Sequence, residues 1–129
     1  LAEGIIAKGG ADEGDGAAVR EIDAAGDRVN AWVYEQTVAV LKEGKVPGLV
    51  GGDHSTPMGA IRACAEHVAG LAKGGDSRAA QGMGILHIDA HWDLRESFEG
   101  FRWSHASIMR NVMEEVPGVT RLVSVGIRD

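Results

Sequence analysis

Apolar residues recur at helical spacing from about Ala17 to Glu43, where Ile22, Ala25, Val29, Val33 and Val40 alternate with charged positions. The pattern predicts a long amphipathic helix. Lys42 suits the negative end of its dipole, and Gly44 suits a left-handed stop. The preceding stretch, Leu1 to Gly16, is rich in Gly and Asp and predicts a loop. Pro47 to Val50 is a short apolar run of strand type, closed by Gly51-Gly52. Thr56 is placed to cap a second helix with Pro57 in its first position. That helix carries Met58, Ile61, Ala65, Val68 and Ala72 on one stripe and runs to about Lys73. Gly74 to Gly82 is polar loop, and Met83 to Ile88 is a second strand. His91 to Trp103 is too broken in pattern for regular structure. A third helix is expected from Ser104 or His105 to about Glu115, ended by Pro117-Gly118, and a third strand from Thr120 to Ile127.

Alternating helices and strands predict an α/β protein with a mainly parallel sheet and right-handed crossovers. At 129 residues the chain fits one modest domain. Thirteen Lys+Arg against nineteen Asp+Glu give a net charge of −6, which disfavours nucleic acid and anionic membrane as partners. No window approaches the roughly 18 apolar residues of a membrane span. The single cysteine, Cys64, excludes an internal disulfide framework and fits a reducing cytoplasm. His67, on the flank of the second helix, is expected at the surface. The chain starts without Met and stops just past a core strand, so residues 1–129 are expected to be part of a longer domain.

In open α/β sheets, ligands bind beyond the carboxyl ends of the strands. Two polar clusters stand there. The more informative is His87-Ile88-Asp89-Ala90-His91-Trp92-Asp93. Asp89, His91 and Asp93 are spaced by two, so an extended backbone points all three to one face. Two carboxylates and an imidazole on one face repel or need partners, and a divalent cation satisfies them. A mixed Asp/His set suits Mn²⁺ or another borderline ion better than Ca²⁺. The other cluster, Gly51-Gly52-Asp53-His54-Ser55, has glycines that permit a sharp turn delivering His54 to the same crevice. His87 shares the parity of Asp89 and is read as core or as a residue standing behind the ligands. Asp53 is read as orienting His54 or its loop.

Gly51-Gly52-Asp53-His54-Ser55 and Asp89-Ala90-His91-Trp92-Asp93 resemble, in order and separation, the first two signatures of the ureohydrolases, the arginases, agmatinases and their relatives. Ser104-His105-Ala106-Ser107 is similar to the histidine segment that follows, and Val125-Gly126-Ile127-Arg128 to the next strand. The stretch Phe98 to His105 resembles agmatinase-like members more than arginases, which carry a polar Asn/Ser-rich stretch there. The third signature, Ser-x-Asp-x-Asp, has no counterpart after Asp93.

The resemblance implies a three-layer α/β/α arginase-like fold, here truncated, and two Mn²⁺ ions per complete site. Asp89 would bridge both metals, His54 and Asp93 would complete one, and His91 the other. A metal-bridging hydroxide would attack the guanidinium carbon of an agmatine-like substrate, releasing urea and an amine. His105 would contact the leaving amine or relay a proton, with Asp93 also counted as catalytic; the bland alternative for His105 is a helix-start residue bonding backbone. Trp92, Phe98, Phe101 and Trp103 either line the entrance or pack the loop. Glu96 and Glu99 are solvated charges or favour a cationic substrate, and Asp129 is a candidate for the rim. The partners implied are a small guanidino substrate and, in the full-length protein, further copies of the same chain. Three other readings remain: an arginase or guanidinobutyrase substrate, a zinc deacetylase-like hydrolase around one metal, and a non-catalytic metal-binding fragment. Asp89 and Asp93 bring two negative charges against four on two Mn²⁺, so the chain as it stands is expected to hold the metal pair poorly.

Overall fold

Helix α2, Gly16–Lys42, is the long amphipathic helix that the apolar spacing predicts, and it forms the spine of the computed structural model, which describes residues 1–128. Its buried positions, Val33 and Thr37, are four residues apart and so share one face. The Thr37 hydroxyl donates to the Val33 carbonyl at 2.8 Å, which satisfies it inside the interface. Against this face packs α3, Met58–Lys73, with Met58, Gly59, Ala63 and Ala65 buried. Gly59 sets the closeness of the crossing: a Cβ there would stand 2.1 Å from the Asn30 carbonyl oxygen and 2.7 Å from the Tyr34 nitrogen.

Strand β1, Met83–Ile88, pairs in parallel with β2, Val119–Val125, from Met83↔Val119 to Ile88↔Val125. Helix α4, Ile108–Glu115, lies between them in the chain and buries Ile108, Met109, Asn111 and Val112. The core joins Met58 and Ala65 of α3 to Ile108, Met109 and Val112 of α4 and to Val116 and Val119, with Met83, Ile85 and Leu122 packed against it. Each fully buried side chain of the Val, Ile or Met kind contributes about 1.5–3 kcal/mol. Helices thus cover the sheet face carrying Met83, Ile85 and His87. The opposite face, with Leu86, Ile88, Val123 and Val125, is largely exposed. Among the described residues the architecture is therefore two layers, α/β with a parallel sheet.

The structure corrects four expectations. The Gly/Asp-rich start contains a short helix, α1, Ala2–Ala7, followed by a single 3₁₀ turn at Glu13–Asp15 that Asp12 caps. Pro47 to Val50 is not a strand: Val46 and Val50 are 93% and 99% exposed, and no ladder reaches them. An apolar run marks a preference for burial, whereas a strand also needs a backbone partner, and Pro47 brings no donor. Pro47, Gly48 and Leu49 instead line an apolar groove opposite Met83, Gly84 and Ile85. Thr56 does not cap α3, because its hydroxyl donates back to the Asp53 carbonyl at 2.6 Å. Helix α4 starts at Ile108 rather than Ser104 or His105, since residues 104–107 form a turn closed by the Ser107 amide donating to the Ser104 carbonyl. His67 is exposed as expected, and Asp129 lies outside the described residues. Among those residues no helix is long and apolar enough to cross a membrane.

Candidate metal centre

Both polar clusters meet beyond the carboxyl end of β1. The loop before α3 is folded by Asp53, whose Oδ1 accepts the Ser55 amide at 2.8 Å and the Ser55 hydroxyl at 2.6 Å. Asp53 therefore organises the loop, and the loop presents His54. Burial pushes the Asp53 carboxyl up, but the two bonds from Ser55, together with the facing His105 and His54, outweigh it and hold the group below its ordinary value.

On the other side, β1 delivers His87 and then Asp89. The Asp89 amide donates to the Val125 carbonyl at 3.0 Å, so the ladder continues one residue past the strand. Gly126, at φ +95°, allows this approach; a Cβ there would lie 3.0 Å from the Asp89 carbonyl oxygen. Asp93 adopts a left-handed backbone with φ 52°, a conformation that Asp tolerates better than most residues.

His54, His87, Asp89 and Asp93 each place one ligand atom within 4.8 Å of all the others. His54 Nδ1 is 2.7 Å from Asp93 Oδ2 and 3.3 Å from Asp89 Oδ2. His87 Nε2 is 3.6 Å from Asp89 Oδ2 and 3.8 Å from Asp93 Oδ2. The Asp89 carboxyl lies below its ordinary value chiefly because it accepts the His91 amide; burial opposes this, and the Ala90 amide, His54 and His87 add to it. Two converging carboxylates, one of them almost buried, fit a divalent cation, and the unbonded buried His87 Nε2 fits one too.

His91 stands outside this group. It is 68% exposed, and its Nδ1 lies 3.6 Å from Asp89 Oδ1, the carboxylate oxygen facing away from His54. The reason is local: the Asp89 carboxylate bends back to accept the His91 amide at 3.0 Å, so the backbone leaves the extended form that would align the three side chains. Asp89 consequently turns one oxygen to His54 and the other to His91, the disposition a bridging carboxylate needs.

His105 is also exposed, 3.8 Å from Asp53 Oδ2 and edge-on to Phe98 at 5.1 Å. With Phe98, Trp92, Leu94, Asp93 and His91 it lines an open cavity of about 490 Å³ beside the cluster. The aromatics divide accordingly. Trp92 and Phe98 line the cavity. Phe101 is buried, and Trp103 donates its indole N–H to Asp27 at 2.9 Å, so both hold the loop to the body. Glu99 does the same through its backbone, its carbonyl accepting the Ala11 amide at 2.9 Å. His87, read from the sequence as core or as standing behind the ligands, is buried at 4% exposure, with Nε2 3.6 Å from Asp89 Oδ2 and 3.8 Å from Asp93 Oδ2; its shared parity with Asp89 was the available signal for that closeness. The bonds from the Met109 and Arg110 amides to the Asp93 carbonyl had no sequence signal.

The model of the arginase family matches residues 10–129. A chloroplastic/mitochondrial arginase 2 of Arabidopsis thaliana is 36% identical over 111 residues, covering 85% of this chain and 29% of that protein. An N(1)-aminopropylagmatine ureohydrolase of Synechocystis is 31% identical over 90 residues, covering 70% and 26%. The solved arginase from Medicago truncatula superposes with a TM-score of 0.65 at 38% identity, over 80% of this chain and 29% of that one. The agmatine ureohydrolase of Thermoplasma volcanium gives 0.62 at 30% identity, over 81% and 30%. The chain thus spans about three tenths of the length of these relatives, with its two polar clusters inside the matched region, and it belongs to the arginase family of ureohydrolases.

Proposed function

We propose that the protein carrying this chain is a dimanganese hydrolase that cleaves an agmatine-like guanidino compound to urea and an amine. The observation that carries this reading is the convergence of His54, Asp89 and Asp93 from two loops, with His105 across the adjoining cavity. His54, Asp93 and one oxygen of Asp89 would hold one cation, and the other oxygen of Asp89 with His91 would begin the second position. Such a pair, when bound, lowers the pKa of water toward neutrality, which an unreactive guanidinium carbon requires. The chain's own residues supply the rest. Asp89 and Asp93 would hold the cations at the edge of the cavity where the guanidinium arrives. Trp92, Leu94 and Phe98 offer apolar surface to an alkyl chain. His105, exposed at the cavity wall, is within reach of a leaving amine and can hold or pass its proton.

An arginine substrate is the second reading, favoured by the identities of 36% and 38% to plant arginases against 31% and 30% to the agmatine-type relatives. Arg95, on the cavity wall with its guanidinium 5.3 Å from the Phe98 ring, is a cation able to meet a carboxylate there. Family membership leaves the zinc deacetylase reading without support. Cys64 as a free thiol fits a reducing compartment, of which the cytoplasm is the one proposed, and self-association of the longer protein is proposed with it. A urea-release screen with Mn²⁺ across agmatine, arginine and guanidinobutyrate tests the assignment. Release from agmatine alone supports it, release from arginine favours the second reading, and release from none with metal bound returns the protein to the non-catalytic class.

A further inference from the structure

Phe98 and Phe101 face each other across a two-residue turn, each amide donating to the other's carbonyl, at 3.1 and 2.9 Å. Both central residues are left-handed, Glu99 at φ 55° and Gly100 at φ 91°. That backbone closes short hairpins, and it suits Gly or Asn far better than Glu. Phe101 is 7% exposed and anchors the hairpin in the body. Phe98 lines the cavity, where the Arg95 guanidinium lies 5.3 Å from its ring and His105 meets it edge-on at 5.1 Å. The tip of the hairpin rests on the N-terminal segment. The Ala11 amide donates to the Glu99 carbonyl at 2.9 Å. A Cβ on Gly10 would stand 3.3 Å from Glu99 Cα, and a Cβ on Gly100 would stand 2.4 Å from Ala11 Cβ. Gly10 and Ala11 are themselves braced: the Gly10 amide donates to the carbonyl of Ile5, which is 4% exposed, and Lys8 Nζ pairs with Asp12 and Asp15 at 2.7 and 2.6 Å. A left-handed residue other than Gly persists only where its surroundings fix it. At Glu99 those surroundings include Gly10 and Ala11.

We propose that Gly10 and Ala11 form a clamp that sets which substrates fit: by holding the tip Glu99–Gly100 they fix the Phe98 ring between Arg95 and His105. Ala11 is a positioning residue that touches no substrate and acts through Phe98. Asp93 and Phe98 line one cavity, so a guanidinium brought to the Asp93 edge leaves its alkyl chain beside the Phe98 ring. A fixed ring limits the length of chain that packs against it, whereas a loose one accepts several lengths weakly. The clamp rests on contacts within this chain, and its effect on selectivity rests on the proposed function.

The test uses the metal-loaded protein carrying this chain, with two readouts: residue-resolved amide hydrogen exchange, and urea release from agmatine and its shorter and longer homologues. In the wild type the Ala11 amide exchanges as slowly as those of Phe98 and Phe101, since one closed clamp protects all three. Ala11→Val wedges bulk against Gly100. It speeds exchange at Phe98 and Phe101, raises KM for agmatine at least about tenfold with kcat little changed, and flattens the preference among homologues; a shift of bound substrate by 1 Å can cost ~100-fold. Ala11→Ser, small and with its amide intact, keeps wild-type values. Phe98→Ala also flattens the preference, and adding Ala11→Val to it raises KM no further, as expected of residues acting through one contact. Overturning results are an Ala11 amide that exchanges at the rate of free chain, an unchanged homologue preference in Ala11→Val, or KM effects of Ala11→Val and Phe98→Ala that multiply in the double variant. Should Ala11→Val fail to fold, wild-type exchange decides, slow at Ala11 in support and free against. Should the wild type release urea from no guanidino compound, the proposed function fails while the same exchange measurement still judges the clamp.

Discussion

The carbonyl oxygen of Asp93 accepts the Met109 amide at 3.1 Å, so a residue that presents a carboxylate to the candidate metal centre also closes the N-terminus of α4. The Arg110 amide joins it at 3.2 Å. Helix N-termini leave amides without partners, and here the left-handed turn at Asp93 aims a carbonyl at two of them. The ligand loop is thereby tied to the helix that carries Met109 and Val112 in the core.

Asp93 thus has a backbone duty and a side-chain duty that substitution can separate. Asn tolerates the left-handed conformation but carries no charge. Asp93→Asn is expected to leave the metal-free thermal midpoint unchanged or slightly raised, because it relieves a carboxylate pair. It should lower cation affinity at least tenfold. Asp93→Ala is expected to lower both. Calorimetric melting without metal and titration with Mn²⁺ check the pair, and a large loss of metal-free stability in Asp93→Asn would contradict the separation.

In urea release, Asp89→Asn should cost more than His105→Asn. Asp89 faces His54 with one oxygen and His91 with the other, so both of the proposed cation positions would depend on it. His105 acts only across the cavity, and general acid–base groups contribute typically ~10²–10⁴-fold. Steady-state rates with metal content measured in parallel decide this. Equal modest losses with metal retained would show that Asp89 is not shared.

Gly59→Ala should destabilise the fold by at least the ~1–3 kcal/mol of ordinary overpacking. The added Cβ meets backbone of α2, at the Asn30 carbonyl and Tyr34 nitrogen, where no side chain can swing away. Urea denaturation measures it. A midpoint equal to wild type would mean that α2 and α3 separate freely.

Asp76, in the loop joining α3 to β1, lies below its ordinary value of 3.8 because it accepts the Arg78 guanidinium and then the Arg78 amide. A folded value below the unfolded one adds stability above about pH 3.8 that is lost as pH falls through the folded value. The group is exposed, so the effect is small. Stability curves of wild type and Asp76→Asn should separate at neutral pH and converge in acid. A constant gap at all pH values would exclude the carboxylate as its source.

Periodicity was enough for α2, α3 and β1, whose patterns are local: an apolar stripe or short apolar run with a stop at each end needs no distant partner to be read. The parallel pairing of β1 with β2 followed from the helix between them. The candidate site was legible for the same reason, since its carboxylates and imidazoles stand in two compact runs, Asp53-His54 and His87 to Asp93. Pro47 to Val50 failed as a strand because pairing depends on which backbone lies alongside, and its apolar residues carry no record of that. His91 is more exposed than the spacing by two implied, because that spacing assumes an extended chain. The turn of the Asp89 carboxylate onto the His91 amide ends that extension, exposing His91, while the strand keeps His87 on the buried face beside Asp89. Residue types and their spacing name the chemistry available; which side chains meet is set by backbone hydrogen bonds between segments far apart in the chain, from Val125 to Asp89 and from Asp93 to Met109.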